Sequence, residues 1–533
     1  MMQSQSQQNK NRTLRLIDLI LIGFSGAIGF EIFVLLDYAY FNLAGPDVLI
    51  ALALAGALNL LIMLTYSELS ASMPKVGGEY TYIKTAYGGY LSFIFGCFRW
   101  LSSIFAASLA AVTFVLQLSF FFSVFYPQLQ VAVLDHAWLI SILIVLIMGL
   151  FEVRGSKKLG SIIVIAFLIL FAVFIIGGFV GGSGSTDLSA VELPSGISGI
   201  FAATVYVLPM FIGTRAIIAS ASSAKRPDKD VPRGILLSGL LIIPIYILFA
   251  FVAIESFTPE AAEQQINLIT FASERVFGEY GSIIFSVAGM VACLSALGTC
   301  LSTQSSISRG MSRDGYLPKI LQSVHSRYGT HHFAAIVGTV FIMIISTLGQ
   351  VPFLSYAASF GALVVFAVVN VALIKLRKTK PYMDRPFKTP FYPLTPILGV
   401  IFPLVLIIVP LIIGDGNAIE ALTSISGLIG IVLASYFLRM SGRHRIQIAL
   451  GGIGIGAGIL ISLFSILNIA GLIPNILAFV PVYIQLITSF VLIVTGCFNF
   501  TSGMKKQINP KSEHKEKSAV LRKRLAKRFK LAT

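Results

Sequence analysis

The sequence predicts an all-α membrane protein, on three observations. Of its 533 residues, 56% are hydrophobic and 12% charged, with mean hydropathy +0.88. Ordinary soluble domains carry about one quarter charged residues. The apolar residues gather into about fourteen runs, each near the ~20 residues that cross a bilayer as a helix. The polar intervals between the runs alternate between basic and acidic, as the positive-inside rule requires of consecutive spans.

The runs lie near 16–41, 46–72, 91–123, 132–151, 159–182, 197–220, 233–256, 280–308, 333–350, 353–375, 393–414, 418–438, 446–471 and 475–500. Lys10, Arg12 and Arg15 place the N-terminus in the cytoplasm. Every second interval from there is basic: Lys75 and Lys84; Arg154, Lys157 and Lys158; Lys225, Arg226, Lys229 and Arg233; Arg309, Arg313, Lys319 and Arg327; Lys375 to Lys388; Arg439, Arg443 and Arg445. The others hold Asp47, Asp135, Asp187, Glu192, Glu260, Glu263 and Asp415, with Arg275 as the exception. This puts both termini on the cytoplasmic side of a multi-pass protein of the cell membrane. It also accounts for the net charge of +16 without nucleic acid.

The first run contains Gly23, Gly26 and Gly29, each costing a helix roughly 1 kcal/mol against alanine. Glu31 follows at once. In hydrocarbon, loose backbone and a charge are tolerated only where they line a cavity or meet protein partners. Five spans later, Val207 to Arg215 carries Pro209, Gly213 and a charge, Arg215. Paired interrupted helices in corresponding positions point to an inverted-repeat transporter with its site at the breaks. Helix ends there leave unpaired N–H and C=O groups for a solute. The predicted organisation is a tail at 1–14, repeats at 15–182 and 197–376, accessory spans within 393–500 and a basic tail at 501–533.

The remaining stretches are less specific. Residues 74–90 are too polar to span and suit a re-entrant or interfacial segment. In the tail, Leu521, Leu525 and Phe529 repeat every four residues amid Lys and Arg. This describes either a helix lying on anionic lipid or a disordered basic tail. Met1 to Asn11 is polar and the first run is too long for a signal peptide, so no cleaved leader is expected. Cys97, Cys293, Cys300 and Cys497 sit in apolar runs without zinc spacing and read as small core residues. The glycines of 451–458 lack the strand and lysine of a nucleotide loop and suit close helix packing. His331 and His332 have no partner at metal spacing. No hydrolase, zinc-protease or Walker sequence occurs, so neither an enzyme nor a cofactor is expected.

The chain resembles the amino acid–polyamine–organocation transporters. Gly26 to Phe33 is similar to their G-x-I-G-S-G-I-F element. Ala44-Gly45-Pro46, Tyr66 to Leu69, Pro74 and Gly77 to Tyr80 resemble their A-G-P, Y-x-E-L and P-x-G-G-x-Y series, and Gly155-Ser-Lys157 follows. Phe211-Ile-Gly213, Lys225 to Pro232, Arg309 to Pro318 and Arg385 to Pro390 continue the resemblance in order. It implies a LeuT-like fold of 5+5 inverted repeats with additional C-terminal helices. It also implies alternating-access transport of amino acids or related amines, coupled to H+ or Na+ or proceeding by exchange.

By this resemblance the substrate site comprises Ser25, Gly26, Gly29, Phe30, Glu31, Tyr206, Phe211, Gly213 and Thr214, with Thr204 beside them. The family's G-S-G offers backbone amides to a substrate carboxylate, but here the element reads Gly29-Phe30-Glu31. An ionised Glu31 would repel such a carboxylate at about 4 Å by several kcal/mol at intermediate dielectric. Arg215 stands where an acid is common, Ser223 replaces another acid, and span five has no central lysine. Three expectations follow for Glu31: it pairs with Arg215 to gate the site or bind the substrate's two ends, it is structural or protonated, or it holds a substrate amine. Arg99 either reaches the cavity as a coupling residue or snorkels to the membrane face. Glu68 is expected to brace the loops near it. Ser102, Ser103, Ser295, Thr299 and Ser302 form polar stripes that either line the site or join helices. A non-transporting sensor or partner subunit of the same fold is the rival reading, and a pore a weaker one.

Overall fold

The computed structural model describes residues 13–27, 29–73, 78–154, 160–180, 196–220, 224–256, 268–325, 328–440, 444–469 and 482–508. The regular elements among these residues are helices, and the β contact among them is an isolated parallel bridge between Leu14 and Ala224. Most of the expected basic tail and part of the 74–90 segment lie outside the described residues. Eight helical stretches are long and apolar enough to cross a membrane, and a bent pair makes a ninth. Four shorter apolar helices lie at Ile165–Val180, His332–Ser346, Leu394–Pro410 and Ile446–Ser462. The chain is therefore a multi-pass helical protein.

The first run is two helices, α1 (Leu16–Ala27) and α2 (Ile32–Tyr38), interrupted where the glycines predict it. A π-helical turn, Ala39–Ala44, and a 3-10 turn, Gly45–Asp47, lead into α3 (Val48–Ser72). Gly45 has φ 51°, a left-handed backbone that only glycine adopts without cost. The polar segment after α3 is a short helix, α4 (Gly78–Tyr87), followed by α5 (Gly89–Phe125), α6 (Pro127–Asp135), α7 (Ala137–Arg154) and α8 (Gly160–Val180).

The sixth run is broken as well. It comprises α9 (Ile197–Val207), α10 (Pro209–Ile212), a 3-10 turn at Gly213–Arg215 and α11 (Ala216–Ser220). The axis bends by 41° between α9 and the segment from Pro209 to Ile218. Pro209 has no N–H and its ring crowds the preceding turn, which removes a main-chain bond and favours a bend there. Locally Leu208 N–H and Phe211 N–H bond three residues back instead, to Val205 and Leu208. The chain continues with α12 (Pro227–Glu255), α13 (Leu268–Phe277), α14 (Gly281–Arg313), α15 (His332–Ser346), α16 (Val351–Thr379), α17 (Leu394–Ile413) and α18 (Gly416–Met440).

The compact unit ending at Leu422 contains both breaks. Within it α1 lies against α12, α8 and the Gly213–Arg215 turn, while α9 lies against α3 and α16. Phe33 of α2 meets Phe171 of α8, Phe249 of α12 and Phe285 of α14 edge-on, with centroids 6.0–6.5 Å apart. Edge-to-face pairs contribute about 0.5–1.5 kcal/mol each beyond burial. This aromatic cluster fixes the far half of the broken first span against three neighbours. Leu268 N–H, at the start of α13, donates to the Asp37 carboxylate at 3.1 Å and so holds that helix over α2.

Arg275, the exception to the charge alternation, donates to the Ser256 carbonyl at the end of α12 at 3.0 Å. A cation is favourable beside the negative end of a helix, which gives it a local reason. Glu68 does brace a loop: Arg377 reaches both of its oxygens, at 2.9 and 2.5 Å, Arg385 lies 3.3 Å away and Thr389 N–H donates at 2.7 Å. The Lys84 ammonium and the Tyr80 hydroxyl both meet Asp314, tying α4 to the loop after α14.

The second unit begins at Thr423 and holds α19 (His444–Ile469) and α20 (Val482–Ile508). A Cβ on Gly451 would stand 2.6 Å from Phe500 N, and one on Gly458 would stand 2.7 Å from Ser489 O. Small residues let these two helices approach closely, as the glycine run predicts. Not all cysteines are core residues: Cys97 and Cys293 are buried, Cys300 is intermediate and Cys497 is exposed.

Candidate functional site

The two breaks lie side by side. Ser25 and Gly26 fall in the last turn of α1, and Ala27 ends it. The Tyr246 hydroxyl, from the middle of α12, donates to the Ala27 carbonyl and lies 3.4 Å from the Met210 carbonyl of the other break. One side chain thus reaches main-chain carbonyls of both interrupted spans. Its ring meets Phe211 edge-on at 5.4 Å. Tyr246 and Phe211 are fully buried, and Phe30 nearly so.

Glu31 is 8% exposed, and its Oε2 has no hydrogen-bond partner among the described residues. The carboxylate folds back over the Gly29 backbone, where a Cβ would collide with Oε2. Gly29 is therefore needed for close approach. Tyr246 of α12 and Cys293 of α14 lie within range of the charge of Glu31.

Arg215 does not pair with Glu31, contrary to the expected gate. Its Nη1 donates to Glu79 at 2.6 Å, its Nε donates to the Ile212 carbonyl at 3.1 Å, and its guanidinium stacks over Phe366 at 4.6 Å. The 3-10 turn at Gly213–Arg215 points the long side chain toward α4. Arg99 does neither of the two things expected of it alone. Its Nε donates to Glu79 at 2.7 Å and its Nη1 to Ser103 Oγ at 2.6 Å. Tyr66 of α3 completes the cluster, donating to Glu79 at 3.0 Å.

Glu79 is thus the acceptor for three elements, with side-chain exposure of 11%. Burial works to raise the pKa of its carboxyl, but Arg215 and Arg99 outweigh that and hold it below its ordinary value of 4.5. The Glu79 carboxylate is satisfied by two guanidiniums and a phenol, as a buried charge requires, while the pair of arginines leaves the cluster one positive charge in excess and Arg215 Nη2 without a hydrogen-bond partner among the described residues.

The other expected residues divide. Thr214 Oγ1 donates to the Phe211 carbonyl at 3.0 Å and accepts from Asn59 at 3.4 Å, so it helps hold the break after Gly213. Thr204 Oγ1 returns to the Ile200 carbonyl at 2.7 Å. Tyr206 is sandwiched between Tyr38 and Tyr356, at 5.0 and 5.4 Å. Tyr356 donates to Asp415 at 2.8 Å, and the Tyr206 main-chain carbonyl accepts from Ser355 at 2.6 Å. Ser102 bonds the Ala358 carbonyl at 2.7 Å, joining α5 to α16. The Ser295, Thr299 and Ser302 stripe faces away from the breaks: Thr299 and Ser302 are exposed, and Ser302 donates to Glu152 of α7 at 2.7 Å.

Glu79 and Tyr246 are the site residues that sequence reasoning missed. A signal for Glu79 existed: two arginines in apolar runs demand an acid, and Glu79 lies in the polar segment between spans. Nothing in the sequence marks Tyr246. No cluster of metal-ligating side chains occurs among the described residues.

Comparison with known proteins places the chain among transporters. A family profile described as "Amino acid permease" matches residues 14–433. A methylthioribose transporter of Bacillus subtilis is 26% identical over 73% of this chain and 86% of its own. A branched-chain amino acid permease of the same organism is 27% identical over 75% and 89%. A chloroplastic cationic amino acid transporter of Arabidopsis thaliana is 25% identical over 75% and 71%. All are transporters rather than enzymes.

Proposed function

Because the chain belongs to the amino acid permease family, we propose that it is a secondary active transporter that moves amino acids or related amines across the cell membrane by alternating access. The substrate is held between the broken helices of spans one and six. The observation that carries this is the Tyr246 hydroxyl bridging the Ala27 and Met210 carbonyls, which sets two interrupted spans face to face. The reading places the breaks in corresponding members of a 5+5 inverted repeat, within about fourteen spans, each ~20 residues long. Both termini are cytoplasmic. Transport proceeds by one bundle rocking against the other.

The Glu79 cluster serves this motion as a latch. It ties α4 to Arg99 of α5 and to Arg215 at the span-six break, so opening on that side must separate or carry these charges together. Uptake of radiolabelled amino acids and amines into proteoliposomes tests the proposal, with and without sodium and a pH gradient. Saturable flux of at least one solute is expected, and the dependence identifies H+ or Na+. Absence of flux, together with no thermal stabilisation by any solute, would favour a sensor or partner subunit instead.

A second reading concerns the substrate. The Glu31 carboxylate over Gly29 disfavours a solute that presents its own carboxylate there. Amines without a carboxylate fit that part of the site better.

A further inference from the structure

The breaks leave one ionisable group without a counter-charge. Glu31 is buried and its Oε2 lacks a hydrogen-bond partner among the described residues. The groups facing it can be named element by element. From α12 there is Tyr246, whose hydroxyl is directed at the Ala27 and Met210 carbonyls. From α14 there are Cys293 and Cys300, neither of which carries positive charge; the charges of Arg99 and Arg215 also reach Cys300, and both arginines bond Glu79. Helix α8 and the short α10 contribute no titratable residue. Arg215, the cation of the neighbouring turn, is committed to Glu79. A buried carboxylate must be neutralised by a proton or by a cation brought from outside. Tyr246, within reach of Glu31, meets Phe211 edge-on, and this apolar wall matches a solute with an apolar body.

We propose that Glu31 is the cation-binding residue of the site, taking the ammonium group of a small apolar amine and a proton in its place when the amine leaves. This rests on the transport reading only for its cycle; the binding step stands by itself. On binding, the Glu31 O–H bond breaks, its proton passes to solvent and the carboxylate pairs with the incoming ammonium. On release the carboxylate takes a proton back. When the two steps occur on opposite sides of the membrane, one proton moves against each amine carried.

The test is calorimetric titration of the purified full chain with phenethylamine in two buffers of different ionisation enthalpy. Binding with release of a proton is expected for the wild type. Glu31→Gln, which keeps the shape, is expected to bind at least about tenfold more weakly and to release none. Glu31→Asp, tested alongside, should keep the proton release. Equal binding by the Gln variant, or wild-type binding without a proton, overturns the proposal. No amine binding at all overturns it too, and leucine flux in proteoliposomes would then leave the transport reading standing. Conversely, proton-linked amine binding without any flux would keep the Glu31 assignment and remove the transport reading. Should the Gln variant fail to fold, the wild-type proton release still decides.

Discussion

Replacing Glu79 by glutamine should be the most damaging conservative change in the charge cluster. The carboxylate accepts from Arg215 at 2.6 Å, Arg99 at 2.7 Å and Tyr66 at 3.0 Å. The two arginine side chains are only 4% and 14% exposed, so water replaces little of what they lose. Removing one partner of a buried ion pair costs about 3–5 kcal/mol, because the other charge stays buried. The glutamine oxygen still accepts one hydrogen bond, returning about 1 kcal/mol. A net loss of about 2–4 kcal/mol is therefore expected, by far the greater part electrostatic. Denaturant unfolding in detergent reads this directly. Trp100, next in sequence to Arg99 and donating to Gln304 at 3.3 Å, provides a local fluorescence signal. Arg215→Gln and the double variant close a cycle. The coupling between the two sites should exceed about 1 kcal/mol, since they share one hydrogen-bonded network. A loss below about 1 kcal/mol for Glu79→Gln, or additive effects in the cycle, would refute a cluster that works as a unit.

Four other outcomes are expected. Because the Glu79 carboxyl is held below 4.5 in the folded protein, its stabilisation is complete above that value and fades as pH falls through the lowered one; unfolding midpoints measured against pH should show an acid limb that Glu79→Gln lacks. Tyr246→Phe strips the buried Ala27 carbonyl of its donor and should cost about 1–3 kcal/mol, measured by unfolding, with a larger proportional loss of uptake than of stability. Gly29→Ala drives a Cβ into the Glu31 carboxylate and should impair uptake; shortening the neighbour in Gly29→Ala with Glu31→Ala should restore the folding yield, and a double variant no better folded than the single one would speak against the clash. Glu68→Gln leaves Arg377 and Arg385 facing a neutral amide and should destabilise by about 2–4 kcal/mol, with faster proteolysis after α16.

The positions of the breaks were legible because their causes are local. Gly23 to Gly29 weaken a helix wherever they stand, and Pro209 removes an N–H whatever surrounds it. The demand for a counter-charge near Arg99 and Arg215 was legible for the same reason, since a guanidinium within an apolar run carries its desolvation cost with it. The anchoring role of Glu68 also followed from its place at the end of α3.

The partners were not legible. Arg215 and Glu31 are the charges of the two breaks, and reading them as a pair was natural from the sequence. The 3-10 turn after Gly213 instead aims Arg215 at Glu79, 136 residues earlier in the chain. Tyr246 looks like any tyrosine in an apolar run until the packing of α12 brings it beneath two broken helices.

The sequence alone determined that this chain is a bundle of membrane helices with two of them interrupted, because backbone hydrogen bonding in an apolar medium is decided residue by residue. The tertiary structure alone decided which charge neutralises which, and that Glu31 is left over. Electrostatic pairing depends on distances between elements far apart in the chain, and no run of residues encodes those distances by itself.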